Sequence, residues 1–244
     1  MTKNIAHRGF SGTYPENTLL AFQKALEIGS DGIEFDVHLT KDGIPVIHHD
    51  ELLNRTTNGV GLIGDFTFNE LRPLDAAARF HGFFEIQRLP SLREYFELVN
   101  GTKILSNIEL KTGVIHYPSI EQKVLDIIDE FNCREDVIVS SFNHYSIAKF
   151  KNLAPDVKIG VLEESWLINP GVYTKALGAE CYHPEYHSLN QKTIDDLRNN
   201  NIEIYTWTIN DEDDMRAAIA KGLDGIITNH PDQFSKILQE MKRN

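Results

Sequence analysis

Cysteine is nearly absent: 244 residues contain only Cys133 and Cys181. Two thiols at that spacing make neither a disulfide framework nor a zinc site, and they suit a reducing compartment. Positive charge is also scarce. Lys and Arg number 24 against 36 Asp and Glu, a net charge of −12. That balance argues against a broad nucleic-acid or anionic-membrane surface. It does not exclude an anionic small-molecule substrate, because a pocket sets its own local field. No stretch approaches the ~18 consecutive apolar residues of a membrane span, and the residues before His7-Arg8 hold no apolar run of a secretory leader. The expectation is a cytoplasmic protein with no nucleic-acid partner and no stable membrane association; a homo-oligomer is left open. Internal repeats, low-complexity segments and flexible linkers are missing too.

With 41% hydrophobic residues, the chain can bury a large core. Ile5-Ala6-His7 reads as a strand, followed by a helix from Leu19 to Ile28 with Asn17 or Thr18 as cap and Gly29 as stop. Gly32–Leu39 alternates cleanly: Ile33, Phe35, Val37 and Leu39 on one face, Glu34, Asp36 and His38 on the other. Strand-like runs recur at Lys103–Glu109, Asp136–Ser141, Val157–Leu162, Glu180–Tyr182, Glu203–Trp207 and Gly225–Thr228. Helical patterns at Ile120–Phe131, Tyr145–Leu153, Thr193–Asn199 and Asp211–Lys221 separate most of them. Eight strands alternating with helices imply parallel pairing and a closed (β/α)₈ barrel, which takes about 250 residues. One domain over residues 1–244 is expected.

Ile44–His48 breaks the rhythm. It follows Leu39 too closely for a crossover helix, and Asp42-Gly43 is a hairpin signal. A two-residue turn there pairs Lys41 with Ile44 and sets Asp36 opposite His49, with His48 opposite Val37 on the other face. After this hairpin, residues of about 50–102 form a small insertion before the third barrel strand. It holds a helical pattern near Phe68–Leu71 and a capping box, Ser91 and Glu94, for a helix through Val99. Gly59-Val60-Gly61 lacks the context of a phosphate-binding fingerprint.

Ionisable pairs stand at the ends of successive strands: His7-Arg8, Glu34 with Asp36, His49-Asp50, and Glu109 with Lys111. Barrel strands have no solvated face, so such a pattern suits a site at the barrel mouth. Glu34, Asp36 and Glu109 would make an oxygen-ligand site for one divalent cation, Mg²⁺ or Ca²⁺. His7 and His49 are the candidate acid and base. Eight other histidines compete for that role (His38, His48, His81, His116, His144, His183, His187 and His230), and only the first pair adjoins the expected mouth. Arg8 and Lys111 supply positive charge suited to a phosphodiester.

At this point the chain resembles the glycerophosphodiester phosphodiesterase family. The resemblance rests on His7-Arg8-Gly9, Pro15-Glu16-Asn17-Thr18, Glu34-Phe35-Asp36, His49-Asp50 and Arg55-Thr56-Thr57. Leu89-Pro90-Ser91-Leu92, Glu109-Leu110-Lys111, Ser141-Phe142, Trp207-Thr208-Ile209-Asn210 and Asp224–Thr228 continue it, in order, over nearly the whole chain. It implies a TIM barrel of the phosphoinositide-phospholipase type and hydrolysis of glycerophosphodiesters to sn-glycerol 3-phosphate and an alcohol. It implies metal ligation by Glu34, Asp36 and Glu109, base and acid roles for His7 and His49, and phosphate contacts from Arg8 and Lys111. Phe142 and Trp207 would line the glycerol side. Asn229 stands where the family often has Asp. The alternatives are a lysophospholipase D, for which Phe80, Phe83 and Phe84 would supply the apolar channel, and a non-catalytic phosphoester-binding barrel.

Overall fold

Alternation along Gly32–Leu39 has a direct structural consequence, visible in the computed structural model, which describes residues 2–243. This strand, β2, is buried along its whole length. Ile33, Phe35 and Val37 pack outward into a core shared with the surrounding helices, while Glu34 and Asp36 lie on the opposite, barrel-facing side, where side chains alternate. Lys3–His7 (β1) pairs with β2 on one side and with Gly225–Thr228 (β9) on the other, which closes the barrel. The remaining barrel strands are Leu105–Leu110 (β4), Val137–Ser141 (β5), Lys158–Glu163 (β6), Cys181–Pro184 (β7) and Glu203–Thr206 (β8), each parallel to its neighbour. The ring order is β1-β2-β4-β5-β6-β7-β8-β9. The eight parallel strands and their helices form a TIM barrel.

Helices hold the outer face of β2 in place. Leu19–Glu27 (α1) starts where the Thr18 hydroxyl accepts from the Ala21 N–H. Leu92–Val99 (α3) starts at the expected capping box of Ser91 and Glu94. Its buried Leu92, Tyr95, Phe96 and Val99 are each worth about 1.5–3 kcal/mol of burial. The Tyr95 ring packs at a tilt 4.2 Å from Phe35 and edge to face 5.1 Å from Phe22 of α1, centroid to centroid. The strand carrying Glu34 and Asp36 is thus clamped from outside. Among the described residues no helix is long and apolar enough to cross a membrane.

Inside the barrel, Ile5, Ile138, Cys181, Tyr205 and Ile227 form a separate apolar layer beneath the mouth. Gly225 makes room for it: a Cβ there would meet the Tyr205 ring at 2.4 Å. The polar ends of the strands therefore rest on a filled floor.

The hairpin forms, but its register is one residue from the sequence expectation. Pro45–Ile47 (β3) runs antiparallel to β2 with Val37 opposite Ile47 and Leu39 opposite Pro45. The turn has three residues, Lys41-Asp42-Gly43. Thr40 N–H donates to Ile44 O at 3.1 Å, Gly43 N–H donates to Thr40 O at 2.8 Å, and Gly43 takes φ +75°. A left-handed glycine closing a three-residue turn competes with the two-residue turn that Asp-Gly also permits. The strand ends at Ile47, one further ladder bond runs from His48 N–H to Asp36 O at 3.0 Å, and strand alternation no longer governs His49. His48 turns away to the carbonyl of Leu52 at 3.3 Å. The His49 carbonyl accepts from His38 Nε2 at 3.1 Å, and its ring faces the barrel mouth.

The other predicted helices appear as Phe68–Leu71 (α2), Ile120–Glu130 (α4), His144–Leu153 (α5), Gln191–Asn199 (α7) and Glu212–Ala220 (α8). Two further helices were not anticipated. Pro170–Ala176 (α6) buries only Pro170, Gly171 and Thr174, which gives no apolar stripe to detect. Pro231–Arg243 (α9) buries Phe234 and Ile237 and follows the last strand. The insertion is closed by a small cluster of Leu53, Ile63, Leu71, Ala76 and Leu89 on Val46 of β3.

Candidate active site

Register brings the carboxylates together. His7, the last residue of β1, is paired with Glu34, and on β4 Asn107 and Glu109 are paired with Glu34 and Asp36. One oxygen from each of Glu34, Asp36 and Glu109 lies within 4.8 Å of the others, about twice a 2.0–2.6 Å oxygen–cation bond. All three are buried. Asp36 accepts from Asn17 Nδ2 at 2.8 Å through Oδ2, while its buried Oδ1 has no hydrogen-bond partner.

Three buried carboxylates repel one another. Burial, then the charges of Asp36 and Glu109, push Glu34 well above the usual carboxylate range. Burial likewise pushes Glu109 up to about 7, against the pull of Lys111. Asp36 goes the other way. Burial raises it, but Arg8, Lys111, His49 and the Asn17 amide together hold it below its ordinary value. Lys111 sits 2.8 Å from Glu109 Oε1 and 3.6 Å from Asp36 Oδ1. Burial disfavours its charge, yet Glu109 and Asp36 keep it protonated. The donor set, the spacing and an Asp36 Oδ1 that accepts no hydrogen bond fit a hard divalent cation, which would relieve the repulsion.

Arg8 lies just past β1, not on it, with φ +55°. That bend turns its N–H to Glu34 Oε2 at 3.1 Å and its guanidinium to Glu16 at 2.8 Å, with Nε 3.5 Å from Asp36. His7 Nδ1 lies 2.6 Å from Asn229 Oδ1. An accepting Asn229 places the proton on Nδ1 and leaves Nε2, 3.8 Å from Glu34, with a lone pair. Burial, then the Arg8 charge, lowers His7 to about 4, so it is neutral at pH 7. His49 Nδ1 meets Asp50 Oδ1 at 2.5 Å. Burial lowers its pKa against the opposing pull of Asp36.

His7, Arg8, Glu34, His49, Glu109, Phe142 and Trp207 line one cavity at the mouth, with about 440 Å³ of empty space that includes open solvent. Asp36 and Lys111 stand behind them. Phe142 and Trp207 meet edge to face at 5.5 Å and form an apolar wall. The competing histidines do not line it: His38 meets Tyr117 at 3.0 Å, and His183 is buried within β7. Asn107, Ser140 and Leu162 also line the cavity. Asn107 was legible as a barrel-facing residue of its run; Ser140 and Leu162 carried no chemical signal. Phe80, Phe83 and Phe84 are not among the lining residues. Phe84 packs at a tilt against Tyr14 and edge to face against Phe80 instead.

A model of the glycerophosphoryl diester phosphodiesterase family matches residues 7–233. The chain belongs to this family. It is 43% identical over 236 residues to the glycerophosphodiester phosphodiesterase of Caldanaerobacter subterraneus subsp. tengcongensis, covering 97% of each chain. It is 42% identical over 245 residues to that of Bacillus altitudinis, covering 99% of this chain and 100% of the relative. Among solved structures, the glycerophosphodiester phosphodiesterase of Agrobacterium tumefaciens superposes with a TM-score of 0.85 at 28% identity, covering 97% of this chain and 100% of that one. An Oleispira antarctica phosphodiesterase in complex with the product sn-glycerol-3-phosphate gives 0.84 at 28%, covering 96% of each. Membership makes this glycerophosphoryl diester phosphodiesterase homologue a phosphoric diester hydrolase.

Proposed function

We propose that the enzyme hydrolyses glycerophosphodiesters to sn-glycerol 3-phosphate and an alcohol, with Glu34, Asp36 and Glu109 holding one divalent cation, Mg²⁺ or Ca²⁺. The observation carrying this reading is one cavity lined by Glu34, Glu109, His7, His49 and Arg8, with Asp36 beside the two glutamates and Lys111 against Asp36 and Glu109 just behind the lining. The product complex of the Oleispira relative supports the glycerol phosphate half of the substrate.

Glu34, Asp36 and Glu109 would hold the cation, which would supply positive charge to the phosphoryl group. Arg8 and Lys111 neutralise charge on the phosphoryl group. His7, neutral with Nε2 free, removes the proton from the attacking oxygen, which belongs to water or to the substrate's own glycerol hydroxyl. As the new P–O bond forms and the old one breaks, His49 gives its proton to the departing alkoxide. The anionic diester beside His49 favours its protonated form, in the same sense as Asp36 and Asp50. Attack by the glycerol hydroxyl would leave a cyclic phosphate, opened by water in a second passage through the same histidines. Phe142 and Trp207 pack the glycerol carbons.

The lysophospholipase D reading is weakened because the Phe80–Phe84 segment does not line the cavity. Two unpaired thiols, Cys133 and Cys181, support a cytoplasmic setting. The test is release of sn-glycerol 3-phosphate from a panel of glycerophosphodiesters. Turnover should vanish in chelator and return with Mg²⁺ or Ca²⁺. Full turnover after exhaustive chelation would overturn the metal assignment; no turnover of any glycerophosphodiester with either ion would overturn the substrate class.

A further inference from the structure

Three residues of the recognised motifs, Glu16, Asp50 and Arg55, touch no reacting atom in that reaction and do not line the cavity. Arg55 joins the other two. It donates from Nη1 and Nη2 to the two oxygens of Glu16, at 2.9 and 2.7 Å. From Nε and Nη2 it donates to the two oxygens of Asp50, at 2.6 and 3.2 Å. Each carboxylate in turn holds a residue of the site. Glu16 Oε1 accepts from Arg8 Nη1 at 2.8 Å. Asp50 Oδ1 meets His49 Nδ1 at 2.5 Å, so that Nε2 is the nitrogen offered to the cavity.

Arg55 belongs to the insertion, and its backbone is itself held. Arg79 donates to the carbonyls of Arg55 and Asn54 at 2.5 and 2.9 Å. The planar guanidinium uses both of its edges, one per carboxylate, which a lysine ammonium cannot reproduce. The Arg55 side chain is 45% exposed. Ion pairs at such exposure add little to stability, so the network's effect lies in orientation.

We propose that Arg55 is a positioning residue for the phosphodiesterase reaction. Through Asp50 it orients the ring of His49, and through Glu16 the guanidinium of Arg8. The insertion thereby sets the proton donor and the phosphate contact in one frame. This rests on the roles proposed above for His49 and Arg8.

Steady-state kinetics in saturating Mg²⁺ test it with two esters of glycerol 3-phosphate. Choline leaves only with a proton; p-nitrophenol leaves without one. Arg55→Met should lower kcat on the choline ester on the order of 10–100-fold, with Tm moving by no more than about 2–4 °C. Asp50→Asn should slow the choline ester and spare the p-nitrophenyl ester. Glu16→Gln should raise KM for both alike. Added to the Asp50→Asn/Glu16→Gln double variant, Arg55→Met should cost less than about twofold, because its route is already cut. Arg55→Lys should not restore the loss. Should Arg55→Met lower Tm further, the Asp50 and Glu16 variants carry the test. The proposal is overturned if Arg55→Met leaves both esters within twofold of wild type while His49→Ala remains slow. It is overturned equally if Arg55→Met costs the same factor in the double-variant background. Unchanged choline-ester kcat in His49→Ala would instead remove the catalytic reading on which it rests.

Discussion

Replacing Glu109 by Gln should stabilise the metal-free enzyme at alkaline pH and abolish its response to a divalent cation. Glu109 is buried beside Asp36, and burial is the main reason its carboxyl rises from 4.5 to about 7. Between those two values the folded state binds more protons than the unfolded chain, so stability falls as pH rises through that window. At pH 8 the displacement amounts to about 3 kcal/mol. For a chain of 244 residues that corresponds to about 6 °C in Tm. Glutamine stays neutral, and Lys111 keeps Asp36 at 3.6 Å as a partner. In chelator at pH 8, Glu109→Gln should therefore melt several degrees above wild type; at pH 5, where wild-type Glu109 is already protonated, the two should nearly coincide. A cation at about 100 times its Kd should raise the wild-type enzyme by about 2.7 kcal/mol and leave Glu109→Gln almost unmoved. Differential scanning fluorimetry at the two pH values, with and without Mg²⁺ or Ca²⁺, measures all of this. A variant that melts below wild type in chelator at pH 8, or that gains as much from the cation, would refute the reasoning.

His7→Ala and His49→Ala should each lower kcat on the order of 10²–10⁴-fold while keeping the cation-induced rise in Tm; an activated leaving group should rescue only His49→Ala. Because His7 lies near 4, it is unprotonated above that value, and with the cation kept saturating at every pH, so that Glu109 stays ionised, the acidic limb of kcat/KM should fall well below 6.5; a limb at 6.5 or higher under those conditions removes His7 as base. Gly43→Ala places a side chain at φ +75° and should cost about 1 kcal/mol in urea unfolding; a neutral result would dismiss the three-residue turn. Glycerophosphocholine, glycerophosphoethanolamine and glycerophosphoglycerol should agree in kcat/KM within about two orders of magnitude, since an exposed leaving group discriminates by only about 1–3 kcal/mol. Much faster cleavage of lysophospholipids would reverse that view.

Much of the site was legible because it rests on local chemistry. The period-two alternation of Gly32–Leu39 put Glu34 and Asp36 on one face whatever the rest of the chain did. Ionisable pairs at the ends of apolar runs marked the barrel mouth, and Ser91 with Glu94 announced α3 through a contact spanning three residues. The hairpin shows where local signals stop. Lys41-Asp42-Gly43 is compatible with two turns, and only the packing of β3 against β2 selects between them. His49 reaches the cavity because the ladder stops after the His48 N–H bond to Asp36 O, not because of the register that the residues themselves suggest. The network through Arg55 lies further out of reach: Glu16 and Arg55 are 39 positions apart, and their meeting depends on how the insertion folds back. The same holds for protonation. Residue types name Glu34, Asp36 and Glu109 as acids, but their opposite displacements follow from burial and from neighbours on other strands. Periodicity and residue chemistry are properties of adjacent positions. Closure of the barrel and depth of burial are properties of the whole chain, and these decide which of the candidate groups share one field.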